Sequence, residues 1–561
     1  MSTPARAPAD AGVPGTADAA VTGTAVIAAA EPPPKRAPVN KWVVTIAISF
    51  GTLMGAIDSS IVSVALPHIR GAVGATLQEI TAISTGYAVA LVLVMPLTAF
   101  LGRQFGQKRV YMICLALFLV GSLLCGLATS LFTLVLYRVI QGFGAGALQP
   151  TEQAILRQTF PPQEQGMAMA LFGMAVMLGP AIGPTLGGYI VDHYHWSWIF
   201  FINLPIGVLG MFMVARFVHE DPDLLEQNRT LAAEQRRNLD WLGIVLMWVG
   251  LAAFQYFLEE GSREDWFDSR LITAVFLTAV FSLAAFVIRE LTAPFPAVDL
   301  RLFKDPVFLS GTAIGGLMFA MLMANMFLLP IFMQELLGFS AVQSGVALMP
   351  RVLVMMLAVP IVGRLYNRFS PQAFIAVGVV LFSFSAWKLS HLTLQSGTAD
   401  IVTALVVQGT AFACLFVPLT TLALANIPRH KMADATGLSS LLRQIGGAIG
   451  LAVFATLLGN YAVVARGGID PHLTATRPEV WQRLQALQQG FMARGMDAVS
   501  AGQAALRALN GSVLAQSTVL AFDHIFILAG GLFLLVLPLL VFLRVPRQER
   551  AAGGDDVHVE L

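Results

Sequence analysis

The sequence predicts an all-α membrane protein with fourteen transmembrane helices, and three observations carry that prediction. Of the 561 residues 56% are hydrophobic and only 12% are charged, whereas a soluble globular chain carries about 25% charged residues. Apolar runs of about 20 residues, long enough to cross the hydrocarbon core, recur from one end of the chain to the other, with a mean hydropathy of +0.73. Basic residues gather in alternate connections between those runs. Lys+Arg (34) and Asp+Glu (33) nearly cancel, which leaves no electrostatic footprint for a nucleic acid. Cys114, Cys125 and Cys414 all lie within apolar runs and offer neither a disulfide framework nor metal-ligand spacing.

In order, the runs place spans at 43–67, 81–101, 110–128, 131–156, 165–190 and 198–218, then 240–259 and 271–289. Six more follow at 307–334, 343–364, 373–390, 400–427, 437–464 and 519–543. An even number puts both termini on one side. That side holds Lys35, Arg36, Lys41, Arg103, Lys108, Arg109, Arg157 and Arg216, and later Arg289, Arg301, Lys304, Arg364, Arg368, Arg429, Lys431 and Arg544. The short loops opposite hold only Arg70, Arg263, Arg270 and Lys388. The positive-inside rule therefore makes both termini cytoplasmic.

Residues 1–40 are rich in Ala, Pro, Gly and Thr and end in EPPPKRAP, the composition of a disordered cytoplasmic tail. A second tail follows residue 545. The segment 465–518 is the exceptional loop. Val480, Leu484, Leu487 and Phe491 recur at helical spacing, and Leu506, Leu509 and Val513 do so again, which predicts two amphipathic helices on the outer side. Either they pack on their own transporter or they form a docking surface for a periplasmic partner.

Ionisable groups inside a membrane are costly, and each is a functional candidate by default. Asp58 lies eight or nine residues before the outer end of span 1, and Arg138 seven residues past the outer start of span 4. At 1.5 Å per residue both sit about 10–13 Å below the outer surface, at a depth where they can share one cavity. A carboxylate beside Arg ionises readily while burial opposes this, a balance that suits a group loading and releasing a proton. The plainer alternative is a static ion pair. Glu152 lies fourteen residues, roughly 21 Å, further inward on span 4. It is either a second acid lining the cavity, for a cationic substrate or a proton, or an interfacial residue near Arg157 reaching for water. Arg351 and Arg443 are expected to steady the C-terminal half by bonding backbone carbonyls at a broken helix.

Span 5 reads LFGMAVMLGPAIGPTLGGYI. Gly179, Gly183 and Gly187 recur every four residues, with Gly188 adjacent, which makes a smooth face for close helix approach. Pro180 and Pro184 bend the same segment, so this helix is expected to bend and slide against a neighbour. No G-x-x-x-x-G-K-[ST], H-E-x-x-H or G-x-S-x-G occurs. An ATP-driven pump or an intramembrane hydrolase finds no support, no cofactor or metal is expected, and the energy is assigned to an ion gradient.

With these motifs on the page, the chain from about residue 40 to 545 resembles the major facilitator superfamily, specifically its fourteen-helix drug:proton antiporters of the EmrB/QacA type. Asp58 to Pro67 (DSSIVSVALP) resembles the family's D-x-T-x-x-x-x-A-L-P, whose acid is implicated in proton coupling. Arg138, Gln141 and Gly142 match R-x-x-Q-G in span 4, associated with proton transfer. Gly179, Gly183, Pro184, Gly187 and Gly188 match the span-5 antiporter motif G-x-x-x-G-P-x-x-G-G. Trp196, Trp198, Phe200, Asn203, Pro205 and Gly207 resemble W-R-W-x-F-x-x-N-x-P-x-G at the start of span 6, and LLRQIGGAIG, with Arg443, resembles the span-13 motif.

Three departures stand out. The loop pattern G-x-L-x-D-R-x-G-R-R aligns with AFLGRQFGQKR. Gly106, Lys108 and Arg109 survive as the gating loop, but the acid becomes Arg103, which puts the usual gating salt bridge there in question. The aromatic expected five residues before Tyr87 is Ala82, and the first glycine of the longer span-5 motif is Ala170.

The resemblance implies a major facilitator fold, with two six-helix halves rocking about a midplane cavity and two inserted helices between them. The domains are then the tail 1–40, an N-terminal half 41–218, the inserted pair with its loops 219–306, a C-terminal half 307–545 containing the outer loop 465–518, and the tail 546–561. It also implies a multi-pass protein of the bacterial inner membrane, not an enzyme, that exports hydrophobic drug-like compounds against protons without a cofactor. Its partners would be small hydrophobic substrates, protons, the lipid bilayer and, through 465–518, a periplasmic adaptor and an outer-membrane channel. The alternative within transport is a dedicated exporter of one endogenous amphiphile, a fatty acid or a siderophore. The remote one is a membrane sensor that moves nothing.

Overall fold

A computed structural model of the chain describes residues 40–76, 79–161, 164–220, 240–293, 296–366, 368–474 and 476–543. Apart from residue 40, both expected tails lie outside the described residues. Among those described, fourteen helices are long and apolar enough to span a bilayer. In order they are Lys41–Val73, Glu79–Phe105, Gln107–Gly126, Leu131–Thr159, Gln165–His193 and Trp198–Phe217 for spans 1 to 6, then Trp241–Glu260 and Arg270–Thr292 for spans 7 and 8. Spans 9 to 14 are Pro306–Leu336, Val342–Leu365, Pro371–Leu389, Thr398–Leu422, Met432–His472 and Ala498–Leu539.

Local chemistry sets where these helices start and break. Ser130 and Ser340 open spans 4 and 10 as reciprocal capping boxes with Thr133 and Gln343. Asp240 caps span 7 by accepting from the Gly243 N–H at 3.0 Å and from Arg289 Nε at 2.8 Å. Burial opposes its charge, but those hydrogen bonds outweigh burial and hold the carboxyl below its usual range. Span 4 divides at Ala147 into Leu131–Gly146 and Leu148–Thr159. Pro150 supplies no N–H to Gly146 and its ring crowds that carbonyl, which interrupts the ladder there.

The two halves repeat one pattern of helix pairs. Spans 1·5, 2·4, 3·4 and 3·6 pack together in the first, and spans 9·13, 10·12, 11·12 and 11·14 in the second. Spans 5·10 and 2·13 join the halves. Span 7 packs on both span 2 and span 13. Its Ile244, Met247 and Leu251 share one buried cluster with Val92 and Leu93 of span 2 and Leu438 and Leu441 of span 13. Beyond that cluster Thr85 donates to Glu260 at 2.9 Å and the Trp266 indole donates to Thr456 at 3.0 Å, so the inserted hairpin is tied to both halves.

The segment 465–518 differs from the expected pair of separate helices. Pro478–Met492 is a helix of its own, but Leu506, Leu509 and Val513 belong to a single helix running from Ala498 to Leu534. No proline lies between Val513 and the apolar run that begins at residue 519, so the change from polar to apolar sequence marks a change of surroundings, not of secondary structure. Span 13 likewise runs on to Ile469. Gln488 ties the separate helix to the longer one by donating to the Ala498 carbonyl at 3.0 Å. Trp481, Val463, Val464 and Val499 stay exposed on this extension.

Candidate functional site

The equal depth of Asp58 and Arg138 becomes a contact: Arg138 Nη1 donates to Asp58 Oδ2 at 2.6 Å, with both side chains fully buried. The other carboxylate oxygen accepts from Gln141 Nε2 and from Asn203 Nδ2, each at 2.9 Å. Gln141 Oε1 in turn accepts from Arg138 Nη1 at 2.7 Å. Asn203 also donates to Ser122 Oγ at 3.0 Å, and Ser122 is fixed by the Phe200 carbonyl at 2.8 Å. The guanidinium lies over the Tyr87 ring, 4.1 Å from its centre. Spans 1, 4 and 6 therefore meet at the carboxylate, and spans 2 and 3 touch its partners. A proton placed on Oδ2 would compete directly with the Arg138 contact, while Oδ1 could still accept from Gln141 and Asn203.

The glycines of span 5 let it close on the helix that carries the acid. A Cβ at Gly179 would meet Ala56 and Ile57, one at Gly183 would meet Ser60, and one at Gly187 would meet Ile61. These residues flank Asp58 on span 1. Ser60 Oγ also donates to the Gly179 carbonyl at 3.1 Å. Gly188 faces open space. Span 5 runs unbroken through Pro180 and Pro184.

Glu152 takes neither of the positions considered for it. It is fully buried inside the N-terminal half, where Ser49 donates to its Oε1 at 2.9 Å and Oε2 accepts no well-formed hydrogen bond. Arg157 is engaged elsewhere: its Nη2 reaches across to the carbonyls of Thr420 at 2.9 Å and Thr421 at 2.6 Å in span 12.

At the basic end, Gly106 turns the chain between spans 2 and 3 with φ of +86°, a conformation that favours glycine. The Lys108 amide donates to Glu220 at 2.7 Å and its Nζ to the Ala215 carbonyl at 2.8 Å, while Arg109 is exposed. Arg103 does form an ion pair, and across the halves: its Nη1 lies 2.5 Å from Asp434 Oδ2 at the start of span 13. The loop acid has become a base, and its partner is an acid.

The C-terminal arginines bond side chains where backbone carbonyls were expected. Arg351 Nη1 donates to Gln408 Oε1 at 3.3 Å, and Gln408 Nε2 donates to Asn325 Oδ1 at 3.2 Å. Arg443 donates to Ser439 and Ser440, both at 2.9 Å. Arg157 takes the carbonyl-binding role instead. Sequence reasoning missed Tyr87 as the ring beneath Arg138, Ser122 as the anchor of Asn203, and Asp434 as the partner of Arg103. An uncharged side chain in an apolar helix carries no signal of its own, and Asp434 gives one only when read against the base at Arg103.

The Major Facilitator Superfamily profile matches residues 48–451. Among curated proteins, the fatty acid resistance protein FarB of Neisseria gonorrhoeae is 32% identical over 525 residues, covering 93% of this chain and 99% of that one. The multidrug export protein EmrB of Escherichia coli (strain K12) is 32% identical over 515 residues, covering 91% and 97%. Among solved structures, the proton:xylose symporter XylE superposes with a TM-score of 0.57 at 12% identity, over 89% of this chain and 96% of that one. The human organic anion transporter MFSD10 gives 0.55 at 15% identity, over 89% and 99%. These two likenesses bear on the fold.

Proposed function

We propose, for a chain that belongs to the major facilitator superfamily and within it to the drug:proton antiporters of the EmrB type, that it exports hydrophobic and amphiphilic compounds across a bacterial inner membrane in exchange for protons. The observation that carries this reading is the Asp58 carboxylate, buried where spans 1, 4 and 6 meet and held by Arg138, Gln141 and Asn203. In the outward state Asp58 takes a proton from the outer side. Neutralised, it holds Arg138 and Asn203 less firmly, and spans 1 and 5, packed through Gly179, Gly183 and Gly187, shift along that seam. Loss of the proton to the cytoplasm accompanies substrate capture, and the substrate leaves on the return stroke. Substrate and proton couple only through different affinities for the two states.

Both termini are assigned to the cytoplasm by the positive-inside rule. The contacts of Arg103 with Asp434 and of Arg157 with Thr420 and Thr421 then close the cytoplasmic end. The helical extension 465–518 would meet a periplasmic adaptor and, through it, an outer-membrane channel. A second reading, export of one endogenous amphiphile, is favoured by the likeness to a fatty acid resistance protein.

The test is substrate-induced proton movement in inverted membrane vesicles, native chain against Asp58→Asn. A lipophilic cation should release protons in the native protein only. A response that survives in Asp58→Asn moves the coupling role to another acid, Glu152 first. No response to any of a broad set of compounds in the native protein removes the multidrug reading.

A further inference from the structure

The connection between spans 8 and 9 carries a charge that the transport cycle above does not use. Asp299 caps a short helical turn, Leu300–Lys304, by accepting from the Arg301 N–H through Oδ1 at 3.2 Å. Its Oδ2 lies 2.7 Å from Lys431 Nζ. Lys431 stands immediately before span 13, and Asp434 occupies the first turn of that helix. Three residues apart, their side chains are neighbours on one face of the helix end. Asp434 is buried. Its Oδ2 meets Arg103 at 2.5 Å, and its Oδ1 accepts no well-formed hydrogen bond. Both Asp299 and Lys431 lie within electrostatic reach of it. The connection is itself firmly seated. Its Ala297, Val298 and Leu302 share a buried cluster with Ile244 and Met247 of span 7 and with Met432 and Ala435 of span 13.

We infer that Asp299 is a positioning residue for the gate at the basic end: it holds Lys431 off Asp434 and so leaves that carboxylate to Arg103. The inference rests on the exporter reading above, in which the basic end opens and closes. Three observations carry it. Asp434 has one carboxylate oxygen to spare. Lys431 is a cation one turn away on the same helix end, on a stem flexible enough to fold onto it. Asp299 engages that ammonium from a different segment, at hydrogen-bond distance. Arg103 belongs to the N-terminal half and withdraws when the basic end opens, whereas Lys431 travels with Asp434. As Arg103 leaves, Lys431 exchanges Asp299 for Asp434, so the carboxylate is not stripped of its cation inside a packed interface. Through its trailing connection, the inserted pair of helices thereby sets how readily the gate opens.

Spin labels at His219→Cys, after span 6, and Asn426→Cys, before span 13, report that opening as a distance in the purified full chain. Both positions are exposed, and the three native cysteines are buried. Asp299→Asn frees Lys431 to compete with Arg103 and should raise the open population about fivefold. Lys431→Met removes the competitor and should lower it by about the same factor, the scale of one partly exposed ion pair. Lys431→Arg keeps the cation and should stay near the native population. In the Lys431→Met background, Asp299→Asn should change nothing. A static tie behaves otherwise, because losing either partner breaks the same bond. Shifts of Asp299→Asn and Lys431→Met in the same direction therefore overturn the inference, as does no shift in either. An Asp299→Asn effect that persists without Lys431 overturns it too. The distances need neither substrate nor gradient. If the native chain drives no proton movement with any compound, the exporter reading fails, while the distances still decide the role of Asp299.

Discussion

The crossing in the N-terminal half and its counterpart in the C-terminal half share a glutamine between an arginine and a neighbouring span, and differ in which helix carries the arginine and in what the glutamine donates to. Each has a Gln-Gly step: Gln141-Gly142 on span 4 and Gln408-Gly409 on span 12. Each glutamine accepts from a buried arginine through Oε1 and donates from Nε2 to span 1 or span 9. In the first half the recipient is the Asp58 carboxylate, and in the second it is the Asn325 amide. An amide takes no proton at any physiological pH. The Gln-Gly step therefore holds a group that can take a proton in one half and only neutral dipoles beside a fixed cation in the other. Arg138 has a counter-ion, whereas Arg351 has dipoles.

That difference predicts unequal costs for removing the two arginines. Arg138→Leu leaves the Asp58 carboxylate buried with only amides around it, and breaking such a pair costs about 3–5 kcal/mol. Arg351→Leu strands only the Gln408 carbonyl, which costs about 1–3 kcal/mol. Thermal or denaturant unfolding of the two purified variants should rank them in that order, and only Arg138→Leu should abolish proton movement. Equal destabilisation would break the comparison, because it would mean that Asp58 bears little charge in the folded protein.

A pair that joins the halves should behave differently from a pair inside one. Asp58–Arg138 can persist through a rocking motion, but Arg103–Asp434 must part whenever the basic end opens. Arg103→Asp sets two acids together there at a cost of about 2–4 kcal/mol, enough to lower transport more than tenfold. The double exchange, Arg103→Asp with Asp434→Arg, restores the pair in the opposite polarity and should recover most of the transport in the vesicle assay. Failure of the double variant to recover would assign this contact to packing.

What the sequence made legible follows from how each feature is encoded. Asp58 and Arg138 were paired in advance because helical rise converts residue count into depth, and depth is shared by every helix in a bilayer. The fourteen spans were legible for the same reason. Lateral neighbours are not encoded that way. Nothing in the hydropathy of span 2 marks Tyr87 as the ring beneath Arg138, or Ser122 as the anchor of Asn203. The base at Arg103 read as the loss of a gate, since its acid lies 331 residues further along the chain. Arg351 and Arg443 were given backbone partners because polar side chains on neighbouring spans cannot be assigned without the packing. The single helix from Ala498 is not visible in the periodicity, which reports which face is buried and not where a helix stops.

The shared Gln-Gly step itself can be tested at its two glycines. A Cβ at Gly142 would meet the Tyr87 carbonyl at 2.6 Å, and one at Gly409 would meet the Arg351 carbonyl at 2.3 Å. In both cases the obstacle is backbone, which cannot rotate away as a side chain does. Span 4 must therefore move off span 2 in Gly142→Ala, and span 12 off span 10 in Gly409→Ala, each at about 1–3 kcal/mol of overpacking. Similar falls in unfolding midpoint are expected for the two variants. Their effects on coupling should nevertheless diverge. Displacing span 4 drags Arg138 and Gln141 away from Asp58, whereas displacing span 12 disturbs only Gln408 and its amide contacts. Proton movement should therefore fall more steeply in Gly142→Ala than in Gly409→Ala. An equal loss in both would show that the fixed cation matters to coupling as much as the acid does.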